Sequence, residues 1–69
     1  MSTPHPSLDL LKQVKIGFIQ QDTTLSRWCR ENGTHVSNAR NALIGTWNGP
    51  KGRAMRQRLV KAARVQVAA

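Results

Sequence analysis

Arg40 and Asn41 carry the most specific chemistry in this chain of 69 residues. An arginine can pair bidentately with guanine and an asparagine with adenine, while Ser37, three residues before Arg40, can meet a base edge or a phosphate. At about 100° per residue, Ser37, Arg40, Asn41 and Ile44 share one side of a helix, with His35 at its start. Three polar groups of that kind on an outward face suit a reader of the DNA major groove. The competing interpretation is a solvated face that touches nothing. The charge of the chain favours DNA.

The elements that must position this face lie between Leu25 and Trp47, which read as two short helices joined at Gly33. Leu25, Trp28 and Cys29 stand at i, i+3 and i+4, on one side of the first helix. Thr24 is its expected N-cap, because a hydroxyl there accepts from an amide left unpaired at the helix start. Gly33 sits where a left-handed residue ends a helix without a Cβ penalty. Thr34 is expected to cap the second helix, whose inner stripe is Val36, Ala39, Ala42 and Leu43. The two alanines let that helix approach its neighbour closely. The pattern is a helix-turn-helix.

Eleven Lys and Arg against three acids give a formal charge of +8. Such a one-sided balance repels itself in the compact state unless a polyanion offsets it. Asp9, Asp22 and Glu31 are scattered and form no catalytic pair, so an enzyme is not expected. Cys29 is the single cysteine, which excludes an internal disulfide and a Cys-rich zinc site; a buried, inert thiol is expected. His5 and His35 lack metal-ligand neighbours. The sequence calls for no metal, cofactor or small-molecule substrate. No apolar run approaches the ~20 residues that span a bilayer, and no signal-peptide core stands near the start. A cytoplasmic protein with no membrane partner follows as the expectation.

The length allows one domain, read as a flexible arm over 1–6, a helical body over 7–65 and a tail over 66–69. Ser7 should cap a helix from about Leu8 to Gln21, with Leu10, Leu11, Val14 and Phe18 inward. Gly17 weakens that helix by roughly 1 kcal/mol relative to Ala, which is explained if another helix crosses there. Ile16 and Ile19 fall outside the inner stripe and are candidates for a dimer contact or for packing of the arm. After Leu43, the run IGTWNGPKGR reads as a loop with a wing-like excursion. Trp47 closes the bottom of the core or stacks on a base; Asn48, Lys51 and Arg53 can reach phosphates. A last helix begins near Pro50, a residue suited to the first helical position, and runs to Arg64 or Val65. Met55, Leu59, Ala62 and Ala63 make its expected inner face, and Arg53, Arg56, Lys61 and Arg64 its outer one, with Arg58 at a margin. That segregation also describes a membrane-surface helix, but the inner face is alanine-rich and better suited to packing.

Trp28, Arg30 and Glu31 before Gly33, then Asn41-Ala42-Leu43, Trp47 and Pro50-Lys51-Gly52, resemble the small helix-turn-helix regulators of temperate phages. The likeness is to the Ner-like proteins of Mu-type phages and the lambda-repressor-like group that includes Cro, over roughly Lys15 to Arg64. It implies an all-α domain of four to five helices with a central helix-turn-helix, binding operator DNA to repress transcription. Carried over by position, His35, Val36, Ser37, Arg40 and Asn41 would read bases. Thr24, Arg27 and Lys51 would hold the backbone, and Asn38, Asn48 and Arg53 join that set. Asn32 and Thr34 depart from the pattern, standing where such motifs carry apolar residues, so Asn32 must bond a loop carbonyl for the turn to pack. The Arg-rich last helix has no counterpart in the family.

Two further functions compete with a repressor that binds a double-stranded operator as a homodimer. One is an excisionase-like factor that bends attachment-site DNA. The other is an antirepressor or other protein-interaction module whose basic face meets an acidic partner.

Overall fold

The computed structural model describes residues 5–65, which form four helices and, among the described residues, no strand: α1 (Leu8–Gln20), α2 (Leu25–Glu31), α3 (Val36–Ile44) and α4 (Pro50–Ala63). The all-α expectation holds, at four helices. Most of the expected arm and the whole of the expected tail lie outside the described residues. Pro6 rests against Gly45, and the Ser7 amide donates to the Leu43 carbonyl at 2.9 Å.

Ser7 caps α1 as expected, its Oγ accepting from the Leu10 amide at 3.0 Å. The helix closes at Asp22, which takes a left-handed φ of 61° while the amides of Asp22 and Thr23 reach back to Ile19 and Phe18. This paired closure is the Schellman arrangement. It recurs after α4, where Arg64 holds φ at 59° and the Arg64 and Val65 amides return to Lys61 and Val60. Leu10, Leu11, Val14 and Phe18 are buried. Gly17 stands where α4 crosses: a Cβ there would collide with the Ala63 carbonyl oxygen. The Gln21 side chain seals the same crossing, its Nε2 donating to the carbonyls of Gly17 (3.1 Å) and Ala62 (3.0 Å).

All four helices feed one core. Leu25 and Cys29 enter from α2, Ala39, Ala42 and Leu43 from α3, and Leu59, Val60 and Ala63 from α4. Trp28, Ile44, Met55, Ala62 and Val65 pack around its edge, half-buried. The Phe18 and Trp28 rings meet at a centroid distance of 6.0 Å, tilted by 32°, within the range for favourable aromatic pairs.

Five expectations need correction. Val36 is not on the inner stripe of α3; it is 40% exposed. Ile44, placed outward by angle, folds back against the core from the last turn. The last helix opens at Pro50 as expected, so the PKGR end of the run read as loop is helical. Trp47 is half-buried over Gly52, where a Cβ would meet its backbone and its Cγ, so it packs beside the start of α4 instead of closing the core. Arg56 does not face solvent with the other cations; it is 4% exposed. None of the described helices is long and apolar enough to cross a membrane.

Candidate nucleic-acid interface

The turn before α3 is built from backbone. Thr24 Oγ1 accepts from the Arg27 amide at 3.1 Å to start α2. Gly33 then takes φ 66°, and the amides of Gly33 and Thr34 return to the carbonyls of Arg30 and Cys29 at 3.4 and 2.9 Å. Thr34 belongs to this closure, and the cap position of α3 falls one residue later. His35 holds the cap position and makes no side-chain cap bond. Asn32 does not turn to a loop carbonyl as expected; its Nδ2 donates to the carbonyl of Trp28, within α2, at 2.9 Å. Its Oδ1 in turn accepts from Arg58 at 3.4 Å, and the Arg58 guanidinium lies 5.4 Å from the centre of the Trp28 ring. A cation over an indole face is attracted by the ring quadrupole, so Arg58 ties α4 to the end of α2.

With its inner side closed by fully buried Ala39, Ala42 and Leu43, α3 turns His35, Val36, Ser37, Asn38 and Arg40 outward, all exposed. On a 100° wheel Ser37 lies opposite the buried arc, with Arg40 to one side and Asn41 to the other. Asn41 is half-buried, and its carbonyl accepts from the amides of Gly45 (3.0 Å) and Trp47 (3.1 Å). The structure thus brings the five sequence-derived reading positions onto α3 and its cap, with His35, Ser37 and Arg40 exposed, Val36 partly so at 40%, and Asn41 half-buried.

The far end of α3 is built differently. Gly45 takes φ 98° and the chain turns through Thr46–Gly49 into α4. Arg56 then reaches back, donating from Nη1 to the Ala42 carbonyl at 3.1 Å and from Nη2 to Asn48 Oδ1 at 3.0 Å. Ala42 belongs to the last turn of α3, where carbonyls lack helical partners and the dipole favours a cation. Among the described residues no carboxylate neutralises this guanidinium, and its Nε is buried without an acceptor. Burial pushes its pKa below the ordinary arginine value, and repulsion from Arg53 adds to the effect; a guanidinium nevertheless stays charged in proteins. Sequence reasoning missed this role although the signal was there. Arg56 is four residues after Gly52, three before Leu59 and seven before Ala63, on the buried side of α4.

Lys51 and Arg53 are exposed in the first turn of α4, and Asn48 is exposed just before it with its Oδ1 taken by Arg56. Thr24 and Arg27 are exposed at the start of α2. Arg27 Nε stands 3.8 Å from Glu31 Oε2, the one ion pair among the described residues, with both side chains largely in water. Such a pair contributes little, so Arg27 can exchange Glu31 for a phosphate. Cys29 is buried, and desolvation raises its thiol pKa, which keeps it protonated and unreactive. No group of three or more metal-ligating side chains occurs among the described residues. Compared with protein families, curated proteins and solved structures, the chain has no match in any of the three.

Proposed function

We propose that this chain is a sequence-specific double-stranded DNA-binding regulator, a phage or prophage repressor of the Cro or Ner type that reads the major groove with α3. The observation that carries the proposal is the pairing of opposite faces on that helix. One side is closed by fully buried Ala39, Ala42 and Leu43, and the other presents Ser37 and Arg40 to solvent beside Asn41. The net charge of +8 supports it, since neutralising phosphates supplies most of the nonspecific affinity for duplex DNA. In this account His35, Val36, Ser37, Arg40 and Asn41 meet bases, while Thr24, Arg27, Asn38, Asn48, Lys51 and Arg53 hold the sugar–phosphate backbone. A homodimer would set two reading helices one duplex turn apart, about 34 Å, on a palindromic operator.

The test begins by selecting preferred sites from a random duplex library. Arg40→Ala is then expected to lose ~1–3 kcal/mol of discrimination at one base position while nonspecific binding persists. Lys51→Ala is expected to weaken all sequences alike and to lower the salt slope by about one. Selection that returns no preferred sequence, or an Arg40→Ala profile identical to wild type, would overturn the assignment.

A further inference from the structure

We infer that the outward face of α4 grips the phosphates of a second segment of duplex DNA, without regard to sequence, while α3 engages the first. That a segment already occupies α3 rests on the regulator reading; the phosphate-binding face of α4 does not. No acid follows Glu31 in the chain, and six of the eleven Lys and Arg stand between Lys51 and Arg64. Arg56 is turned inward, whereas Lys51, Arg53, Arg58, Lys61 and Arg64 are exposed. At 100° and 1.5 Å per residue these five fall within an arc of about 160° and form a strip about 20 Å long. Only Ala54 and Gln57 stand between them. Arg58 is tied to Trp28 and Asn32, but the other four have no carboxylate partner among the described residues. Like charges three or four residues apart repel on a helix, as Arg58, Lys61 and Arg64 do here. Nothing in α4 offsets that repulsion, and a polyanion laid along the face would.

The make-up of the face selects a duplex. Among the described residues the exposed large hydrophobics are Leu8, Ile16, Ile19 and Val36, none of them on α4. The face therefore lacks the apolar anchors that a protein interface or a bilayer surface uses. It also lacks aromatic rings on which unpaired bases could stack. A row of cations alone suits a phosphate backbone, which is held by charge and carries no sequence information directly. Position then calls for a second segment. Helices α1, α3 and α4 each pack against the other two round one core, so the outward sides of α3 and α4 point apart. Lys51 and Arg53 stand near the exit of α3. Lys61 lies about 15 Å and Arg64 about 20 Å further along the axis than Lys51, at the corner where Ala63 meets Gly17 of α1. A straight duplex seated on α3 does not reach that corner. A second segment does, on another molecule or where one duplex bends back.

The test uses the full chain with two duplexes, one bearing a donor dye and the other an acceptor, and follows energy transfer between them at low salt. Amide NMR shifts on titration with a duplex of unrelated sequence locate the contact. Expected are transfer when protein is added and shifts over 57–64 as well as on α3. Lys61→Gln with Arg64→Gln should abolish the transfer and lower the salt slope on unrelated duplex by about two. The sequence selected from a random library should stay the same. If the double variant does not fold, Lys61→Gln alone serves, with the slope expected to fall by about one. With a preferred sequence in hand, no transfer in the wild type overturns the inference. So does transfer that survives the double variant, as two chains paired through other contacts would give. A stronger response of α4 to duplex RNA, polyglutamate or anionic vesicles than to duplex DNA also overturns it. A library that returns no preferred sequence, while the α4 shifts and the slope change stand, sinks the regulator and spares this face. A preferred sequence with α4 silent to duplex does the reverse.

Discussion

The two ends of α3 are held by unlike means. At its start, Gly33 and the two returning amides close the turn within six residues, and nothing lies within 4 Å of the place a Cβ would occupy. At its end, a guanidinium from the next helix reaches 14 residues back to the Ala42 carbonyl, and Pro6 from the start of the chain presses on Gly45. The first junction is local and tolerant of its surroundings. The second joins α3, the following loop, α4 and the residues ahead of α1. The direction in which the outward face of α3 points is therefore governed mainly from its far end.

Arg56→Ala should be the most damaging change to this arrangement. It removes two charge-assisted hydrogen bonds and empties a packed site, for an expected loss of about 2–4 kcal/mol, measured by urea denaturation. Arg56→Met should cost less, because an apolar side chain of similar length needs no desolvation of a charge. If methionine proves as harmful as alanine, the hydrogen bonds are what matter. Gly45→Ala comes next, at about 2–3 kcal/mol: a left-handed backbone costs an ordinary residue ~1–2 kcal/mol, and the new Cβ would stand 3.0 Å from Pro6. Gly33→Ala incurs the backbone cost alone, ~1–2 kcal/mol, read as a thermal shift at roughly 4–8 °C per kcal/mol for a domain of this size. A Gly33→Ala loss equal to or larger than that of Gly45→Ala would erase the proposed difference between the two junctions.

The same contrast marks what could be read from the sequence. The junction at Gly33 was legible because its causes are local: a threonine cap, a helical run and a glycine where φ must be positive. The crossing at Gly17 was legible too, since a glycine inside a helix with a good apolar stripe calls for a close neighbour. Arg56 was not read correctly. A hydrophobic stripe drawn through Met55, Leu59, Ala62 and Ala63 sits one notch off the true buried face of Gly52, Arg56, Leu59, Val60 and Ala63. Hydrophobicity had pulled the stripe away from a charged residue. Only the long-range meeting of that side chain with the Ala42 carbonyl of α3 and the Asn48 side chain makes its burial tolerable. Val36 and Ile44 were misplaced for a related reason, because both lie at the ends of α3, where the neighbours decide burial and the wheel angle does not. The cap at Thr34 failed because the backbone closure after Gly33 takes in Thr34 and moves the start of α3 one residue on, leaving His35 at the cap position.

The bond between the Ser7 amide and the Leu43 carbonyl has a practical side. It pins Ser7, the cap of α1, next to the last turn of α3. Ser7→Pro would delete that amide and the Oγ cap of α1 together, so a single substitution would unfasten the start of α1 from the end of α3.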